Sequence, residues 1–331
     1  MANLEERRHV VIAVNPFAGA VSQSGDISDL QALLKAAGLF PEVMTDLKEI
    51  SARAIELHCT DKLRALVGVG GDGTMAELLN RTPPRLPLAM LPRGTENLMG
   101  KFLGQNKATA EKVAETLIHG RSVCLDVARI TVTRGPASNG SSRGHDHADM
   151  SARTSRLFFL MAGFGFDADV VRRLQLARSG HIRHWSYLKP IVQSLRSYQY
   201  PEMQISCLDA SGVEQTRVAA RWFFIFNCPA YGGGLKISPQ ADCRDGLLDY
   251  CTFRGGSAAK GIKYLTMVLT GLHHRSADVT SGKAAQFRVE TDGEVPIQID
   301  GDPFGFAPAE IECCPQRMTI LAPRDFHFAT S

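Results

Sequence analysis

Residues 9–14, 63–69 and 86–91 are almost continuously apolar, the pattern of strands covered on both faces, and a shorter strand signal lies at 42–45. Between the strands, Ile27, Leu30, Leu33, Leu34 and Ala37 recur at helical spacing up to Gly38, a residue suited to a helix C-terminus, and residues 50–59 read as a second helix. Strand alternating with helix predicts an α/β domain with a parallel sheet. Each strand runs into a polar or glycine-rich turn: Asn15-Pro16-Phe17-Ala18-Gly19, then Thr45, then Gly70 to Thr74, then Pro92 to Asn97. Those turns share one edge of the sheet, where an open α/β sheet binds its ligand.

The pattern changes near Asp126. Strand-like segments at 127–133, 156–161, 203–208, 221–227, 247–253, 287–290, 297–300 and 318–321 outnumber helices and are separated by turn residues, which predicts an antiparallel β domain. Residues 135–155, rich in Gly, Ser, His and Asp, read as a hairpin excursion, and its His145-Asp146-His147 as solvated residues rather than metal ligands. The expected division is an α/β domain at 1–125, a β-rich domain at 126–323, and a tail at 324–331 that packs back on the first domain.

Composition narrows the function. Among 331 residues, 44% are hydrophobic and 21% charged, as in a globular protein, and this length exceeds what one core comfortably serves. A net charge of +3 assists approach to phosphates or anionic lipid without marking a nucleic-acid binder, and 2 Trp and 6 Tyr are too few for a base-stacking platform. No apolar run has the length of a membrane span, and the polar start is unlike a signal peptide. The 8 cysteines form no C-x-x-C pair, so neither a zinc site nor a disulfide framework is expected, and a reducing cytoplasm is the simplest location.

The chemistry concentrates in Val67-Gly68-Val69-Gly70-Gly71-Asp72-Gly73-Thr74. A strand, a glycine turn and a helix opening near Glu77 would aim backbone N–H groups and a helix dipole at an anion, with the glycines letting phosphate approach the backbone. Gly68, Gly70 and Gly73 also match the dinucleotide fingerprint, but the next strand ends in Pro92-Arg93-Gly94-Thr95-Glu96-Asn97 instead of the ribose-binding acid. No lysine follows the glycines as in a P-loop.

This constellation resembles the diacylglycerol kinase catalytic-domain family of lipid kinases, which includes bacterial lipid kinases and the sphingosine and ceramide kinases. The matching motifs are Asn15-Pro16-x-Ala18-Gly19, Gly70-Gly71-Asp72-Gly73-Thr74, Leu91-Pro92-x-Gly94-Thr95-x-Asn97 and the junction acid Asp126. Further on come Gly163 to Ala168, Tyr231 to Gly234, Pro239 to Ala241, Asp245-Gly246-Leu247-Leu248-Asp249 and Asp300-Gly301-Asp302. The glycine hallmark alone is shared with NAD kinases and phosphofructokinases; the later motifs select lipid kinases. The resemblance implies an NAD kinase-like α/β domain followed by a β-sandwich-like domain, with ATP and lipid meeting in the cleft between them.

On that resemblance, Gly70, Gly71, Gly73 and Thr74 would hold the ATP phosphates, with Asn15, Thr45, Thr95 and Asn97 around the nucleotide. Asp72 would hold Mg²⁺ through water together with Asp126. Asp302, in place of the family's glutamate, would be the general base, with Asp300 orienting it or touching metal. Asp245 and the carbonyls of Leu248 and Tyr250 would bind a second, structural Mg²⁺. Asp-Gly pairs are also the commonest tight-turn signal, so Asp245-Gly246 and Asp300-Gly301 read equally as turns.

Three positions depart from the family pattern: Ala76 for asparagine, Leu98 for aspartate and Asp302 for glutamate. A kinase of a soluble metabolite and a nucleotide-binding protein with little turnover therefore remain open beside the lipid kinase. The expected partner is a lipid at the inner membrane face. The candidate contact is residues 170–198, where Arg172, Arg173, Arg178, Arg183, His184, Lys189 and Arg196 mix with Leu174, Leu176, Trp185, Tyr187, Leu188, Ile191 and Leu195; a core-facing helix with a solvated cationic face is the alternative. A homodimer is left open.

Overall fold

The structure is a computed structural model that describes residues 6–14, 20–134, 153–176, 188–229, 232 and 235–328. The chain divides into two units, Met1–Asp126 with Pro315–Ser331, and Val127–Cys314.

In the first unit, β1 (His9–Val14), β2 (Phe40–Met44), β3 (Leu63–Gly70) and β4 (Pro87–Pro92) form a parallel sheet in the order β2-β1-β3-β4. The apolar runs predicted this, because β3 and β4 are buried throughout. The steps β1 to β2 and β2 to β3 go opposite ways along the sheet. Right-handed crossovers therefore place α1 (Ala20–Ala36) and α2 (Leu47–Cys59) on opposite faces, with the switch point between β1 and β3. Asp46 caps α2 by accepting the N–H groups of Lys48 and Glu49. The core joins Val10, Ile12, Val67, Val69 and Leu91 to Leu30 and Leu34 of α1 and to Val113 and Leu117 of α5 (Ala110–His119).

The boundary differs from the sequence expectation. Asp126 belongs to the first unit, and the chain returns to it at Pro315, not at 324. Residues 318–321, read as second-domain strand, lie in β15 (Asp302–Ala322), where Thr319 and Ile320 pair parallel with Pro87 and Leu88 of β4 and Leu321 enters the first core. Beyond it, Phe326 lies 5.9 Å from the Phe102 ring, so the tail packs on this unit.

The second unit is antiparallel, as the strand-rich sequence predicts. Two strand paths, β12-β11-β10-β7-β14-β15 and β9-β8-β13-β15-β5-β6, share β15. Their members are β5 (Arg121–Arg134), β6 (Thr154–Phe158), β7 (Met161–Gly165), β8 (Met203–Leu208), β9 (Glu214–Ala220), β10 (Trp222–Phe226), β11 (Leu248–Phe253), β12 (Val279–Ala284), β13 (Gln286–Glu290) and β14 (Pro296–Ile299). A register shift at Ile297/Gln298 and Gly305 at φ +134° mark the bend where β15 leaves β14 for β13. Alternate residues from the strands fill one core, among them Ile130, Phe164, Ile205, Phe223, Phe287 and Ile311. Residues 156–161 form parts of two strands, and β9 and β12 escaped the sequence reading. The first four residues of β9 are exposed and β12 reads Val-Thr-Ser-Gly-Lys-Ala, so neither carries an apolar alternation.

Candidate functional site

Asn15 and the rest of its motif (Pro16, Ala18, Gly19), Tyr231, Gly233, Gly234 and His145-Asp146-His147 lie outside the described residues. The other site residues of the first unit gather at the C-terminal ends of its strands. Thr45 is exposed directly after β2. At the end of β3, α3 (Asp72–Arg81) begins at Asp72, not near Glu77 as read from sequence, so Asp72, Gly73 and Thr74 form its first turn. Its N-cap is Gly71, and no side chain caps it. Backbone N–H groups at such an end suit an anion.

Sterics explain the glycines one by one. A Cβ on Gly70 would lie 2.3 Å from Thr74 Oγ1, so the Thr74 side chain covers Gly70. One on Gly94 would lie 2.5 Å from Gly71 Cα, so the two turns touch backbone to backbone. Around Gly73 a Cβ would meet nothing within 4 Å, leaving open space beside the helix end. Arg93 N donates to Gly70 O at 2.8 Å and ties the turns together. The Arg93 side chain is held by Asp26 at 2.8 Å and by the carbonyl of Ala108.

Asn97 is buried at φ +48°, and its amide closes the second turn by accepting from Gly94 N and donating to Gly94 O. It shapes the turn, while Thr95 is exposed beside it. Asp72 turns toward the same segment. Its two oxygens accept the N–H groups of Leu98 and Met99, each at 2.9 Å, and so cap the short helix α4 (Leu98–Phe102). Burial pushes the Asp72 carboxyl above the ordinary range, outweighing those two hydrogen bonds. Each oxygen keeps a second lone pair, so Asp72 fits an outer-sphere role toward a hydrated cation. Asp126 is almost fully buried, and its Oδ1 accepts Gln316 N at 2.7 Å, pinning the returning strand where Gln316 has φ +50°. Among the described residues, no three acid, His or Cys side chains gather as metal ligands, so Asp72 and Asp126 belong to no such cluster.

In the second unit, Asp300 and Gly301 at φ +50° and +89° make the two-residue turn between β14 and β15. The Asp300 carboxylate accepts three backbone N–H groups, Phe159, Leu160 and Met161, at 2.9–3.0 Å. The Asn227 amide grips the same bend through Phe159 O at 2.7 Å. Gln298, absent from the sequence reading, accepts Gly301 N at 2.9 Å and donates to Asp167 at 2.8 Å. Held this way, the turn presents Asp302, half-buried, as the first residue of β15. The Asp300 carboxylate thus acts on the backbone of the bend at 159–161.

Asp245 accepts Leu247 N at 3.0 Å and Lys283 Nζ at 2.6 Å. Leu248 and Tyr250 are ladder residues of β11, Leu248 opposite Ala284 and Tyr250 between Ile225 and Gly282. Of the expected ligand set, the Asp245 side chain is thus engaged by a lysine. In residues 170–198, α6 (Phe166–Leu176) and α7 (Leu188–Ser197) are described, and 177–187 lie outside the described residues. Arg172 and Arg173 contact the buried Asp169 at 3.3 and 2.6 Å, and Ser194 donates to the same carboxylate, so these two cations serve helix packing.

Residues 9–130 match the diacylglycerol kinase catalytic domain, and residues 161–322 match the YegS C-terminal NAD kinase beta sandwich-like domain. The chain belongs to the diacylglycerol kinase catalytic-domain family. It is 27% identical over 261 residues to a diacylglycerol kinase of Mycobacterium tuberculosis (strain CDC 1551 / Oshkosh), covering 78% of this chain and 77% of that one. To a diacylglycerol kinase of Bacillus subtilis (strain 168) it is 22% identical over 263 residues, 78% of each. A crystal structure of a diacylglycerol kinase from Bacillus anthracis str. Sterne superposes with a TM-score of 0.64 at 20% identity, covering 96% of this chain and 97% of that one, which shows a shared fold. Family membership supports a kinase. Among the described residues no helix is long and apolar enough to cross a membrane.

Proposed function

We propose that this chain transfers the γ-phosphoryl group of ATP, with Mg²⁺, to a hydroxyl of a diacylglycerol-like or sphingoid lipid. The observation that carries the reading is the uncapped start of α3, with open space at Gly73 and a second glycine turn locked against it. Phosphoryl transfer is achieved chiefly by positioning and charge neutralisation, which such a cradle supplies. The N–H groups at Gly71 to Gly73 hold phosphate oxygens, that of Thr74 already donating to Gly71 O at 3.1 Å, and Thr45 and Thr95, exposed after β2 and β4, border the nucleotide.

Mg²⁺, when bound, neutralises charge on the phosphates and the leaving group. Asp72, which fixes the Leu98 end of the second turn, and Asp126, which secures the returning strand, are the residues that would hold it. Asp302 accepts the proton of the acceptor hydroxyl as its oxygen bonds to the γ-phosphorus and the bond to the β–γ bridging oxygen breaks, releasing ADP. The acceptor arrives by peripheral contact of the protein with a lipid surface.

The test is transfer of radiolabelled γ-phosphate from ATP to diacylglycerol, monoacylglycerol, sphingosine, ceramide and phosphatidylglycerol in mixed micelles with Mg²⁺, beside an Asp302→Asn control. A labelled lipid that disappears in the control supports the reading and names the acceptor class. Mg²⁺-dependent ATP binding with no labelled lipid overturns it in favour of a soluble acceptor or a binder without turnover.

A further inference from the structure

The residues expected to hold a structural divalent cation already face a built-in positive charge. Lys283 Nζ lies 2.6 Å from Asp245 Oδ2 and 3.4 Å from Asp249 Oδ2. Sheet register delivers the ammonium there, because Asp249 on β11 and Lys283 on β12 are direct cross-strand partners. The register is fixed one residue away: Gly282 pairs with Tyr250, and a Cβ on Gly282 would lie 2.9 Å from the Tyr250 ring. A slip of β12 would drive a side chain into that ring.

Asp249 gives the arrangement its energetic weight. It is almost fully buried; Ser238 Oγ donates to its Oδ1 at 3.3 Å, while Oδ2 makes no hydrogen bond and faces the Lys283 ammonium. A buried carboxylate of this kind needs a nearby cation. A divalent ion on Asp245 would stand beside the ammonium, two like-signed charges within a few ångströms, or would push Lys283 away and strip Asp249 of its counter-charge. Neither suits the cluster.

We propose that Lys283 is the resident cation of the Asp245–Asp249 cluster, so that the second unit folds and keeps its β11–β12 edge without a structural divalent ion. This goes beyond the kinase reading and is independent of it, since any Mg²⁺ that accompanies ATP belongs to a different site.

The experiment is thermal unfolding of the full chain without nucleotide, in excess EDTA and in millimolar MgCl₂. The wild type is expected to unfold at the same temperature in both; a lower midpoint in EDTA overturns the proposal. Lys283→Met is expected to lower the midpoint by about 6–12 °C, because it leaves a buried carboxylate unpaired. Adding Asp249→Asn to that variant should recover part of the loss by removing the orphaned charge. A Lys283→Met midpoint equal to the wild type also overturns the proposal. Should that variant fail to fold, the wild-type comparison decides alone, and retained catalysis has no bearing on either arm.

Discussion

The Asp72 carboxylate accepts the backbone N–H of Leu98 at 2.9 Å and that of Met99 at the same distance, so the acid of the glycine hallmark caps the helix that follows the second glycine turn. Leu98 stands where the family pattern carries a second aspartate, and the structure gives that position a backbone role toward Asp72. Asp72→Ala removes the acceptor from two N–H groups at once. It should cost on the order of 2 kcal/mol in urea unfolding. ATP affinity should fall with it, because the second turn loses its anchor, whereas Leu98→Ala, which keeps the N–H, should leave ATP affinity nearly unchanged.

Burial raises the Asp72 carboxyl above its ordinary value, and that fixes the sign of a pH effect. A folded state that keeps the proton to higher pH than the unfolded chain loses stability as pH rises from the unfolded value through the raised folded value, then levels off. Asp72→Asn cannot titrate. The stability of the wild type relative to Asp72→Asn should therefore be greatest in acid and decline toward neutral pH, measured by urea unfolding from pH 4 upward. A relative stability that grows with pH would contradict the burial of this group.

Two glycines in the same cradle should fail in different ways. Gly94→Ala forces a Cβ to within 2.5 Å of Gly71 Cα, backbone that cannot swing aside, so the turns must separate. A loss of about 1–3 kcal/mol of stability is expected, together with weaker ATP binding. Gly73→Ala meets nothing within 4 Å and gains helix propensity of up to about 1 kcal/mol. It should unfold no earlier than the wild type yet bind ATP at least roughly tenfold more weakly, because its methyl group fills the space assigned to phosphate. Calorimetry of ATP binding beside thermal unfolding separates the two.

The first unit was the more legible in sequence, since β1, β3 and β4 are buried and their apolar runs are unmistakable. The start of α3 was not, because Gly71, Asp72, Gly73 and Thr74 have loop composition and become helical by tertiary contact with the second turn. Of β15, which runs from the second unit into the first, only residues 318–321 were read as strand: its exposed Glu310 and Gln316 break the apolar pattern of a strand that its neighbours on both sides make continuous. The same limit hid Lys283. It sits on a strand of small and polar residues, and only the register with β11 shows that it faces Asp245 and Asp249.

Asp300 and Asp302, two residues apart, should separate into a folding role and a chemical one. Asp300 spends its carboxylate on three backbone N–H groups and occupies φ +50°, which favours Asp, Asn or Gly. Asp300→Ala should therefore cost on the order of 3 kcal/mol and lower activity chiefly by lowering the amount of folded protein. Asp302 is half-buried at the start of β15, where a side chain can reach a substrate. Asp302→Asn should unfold within about 0.5 kcal/mol of the wild type, bind ATP unchanged, and lose roughly 10²–10⁴-fold in kcat. Asp302→Glu, which restores the family's longer acid, should keep measurable turnover. Urea unfolding, ATP calorimetry and lipid phosphorylation on the three variants decide the matter: equal loss of stability in Asp300→Ala and Asp302→Asn would remove Asp302 from the chemistry and leave both as parts of one turn.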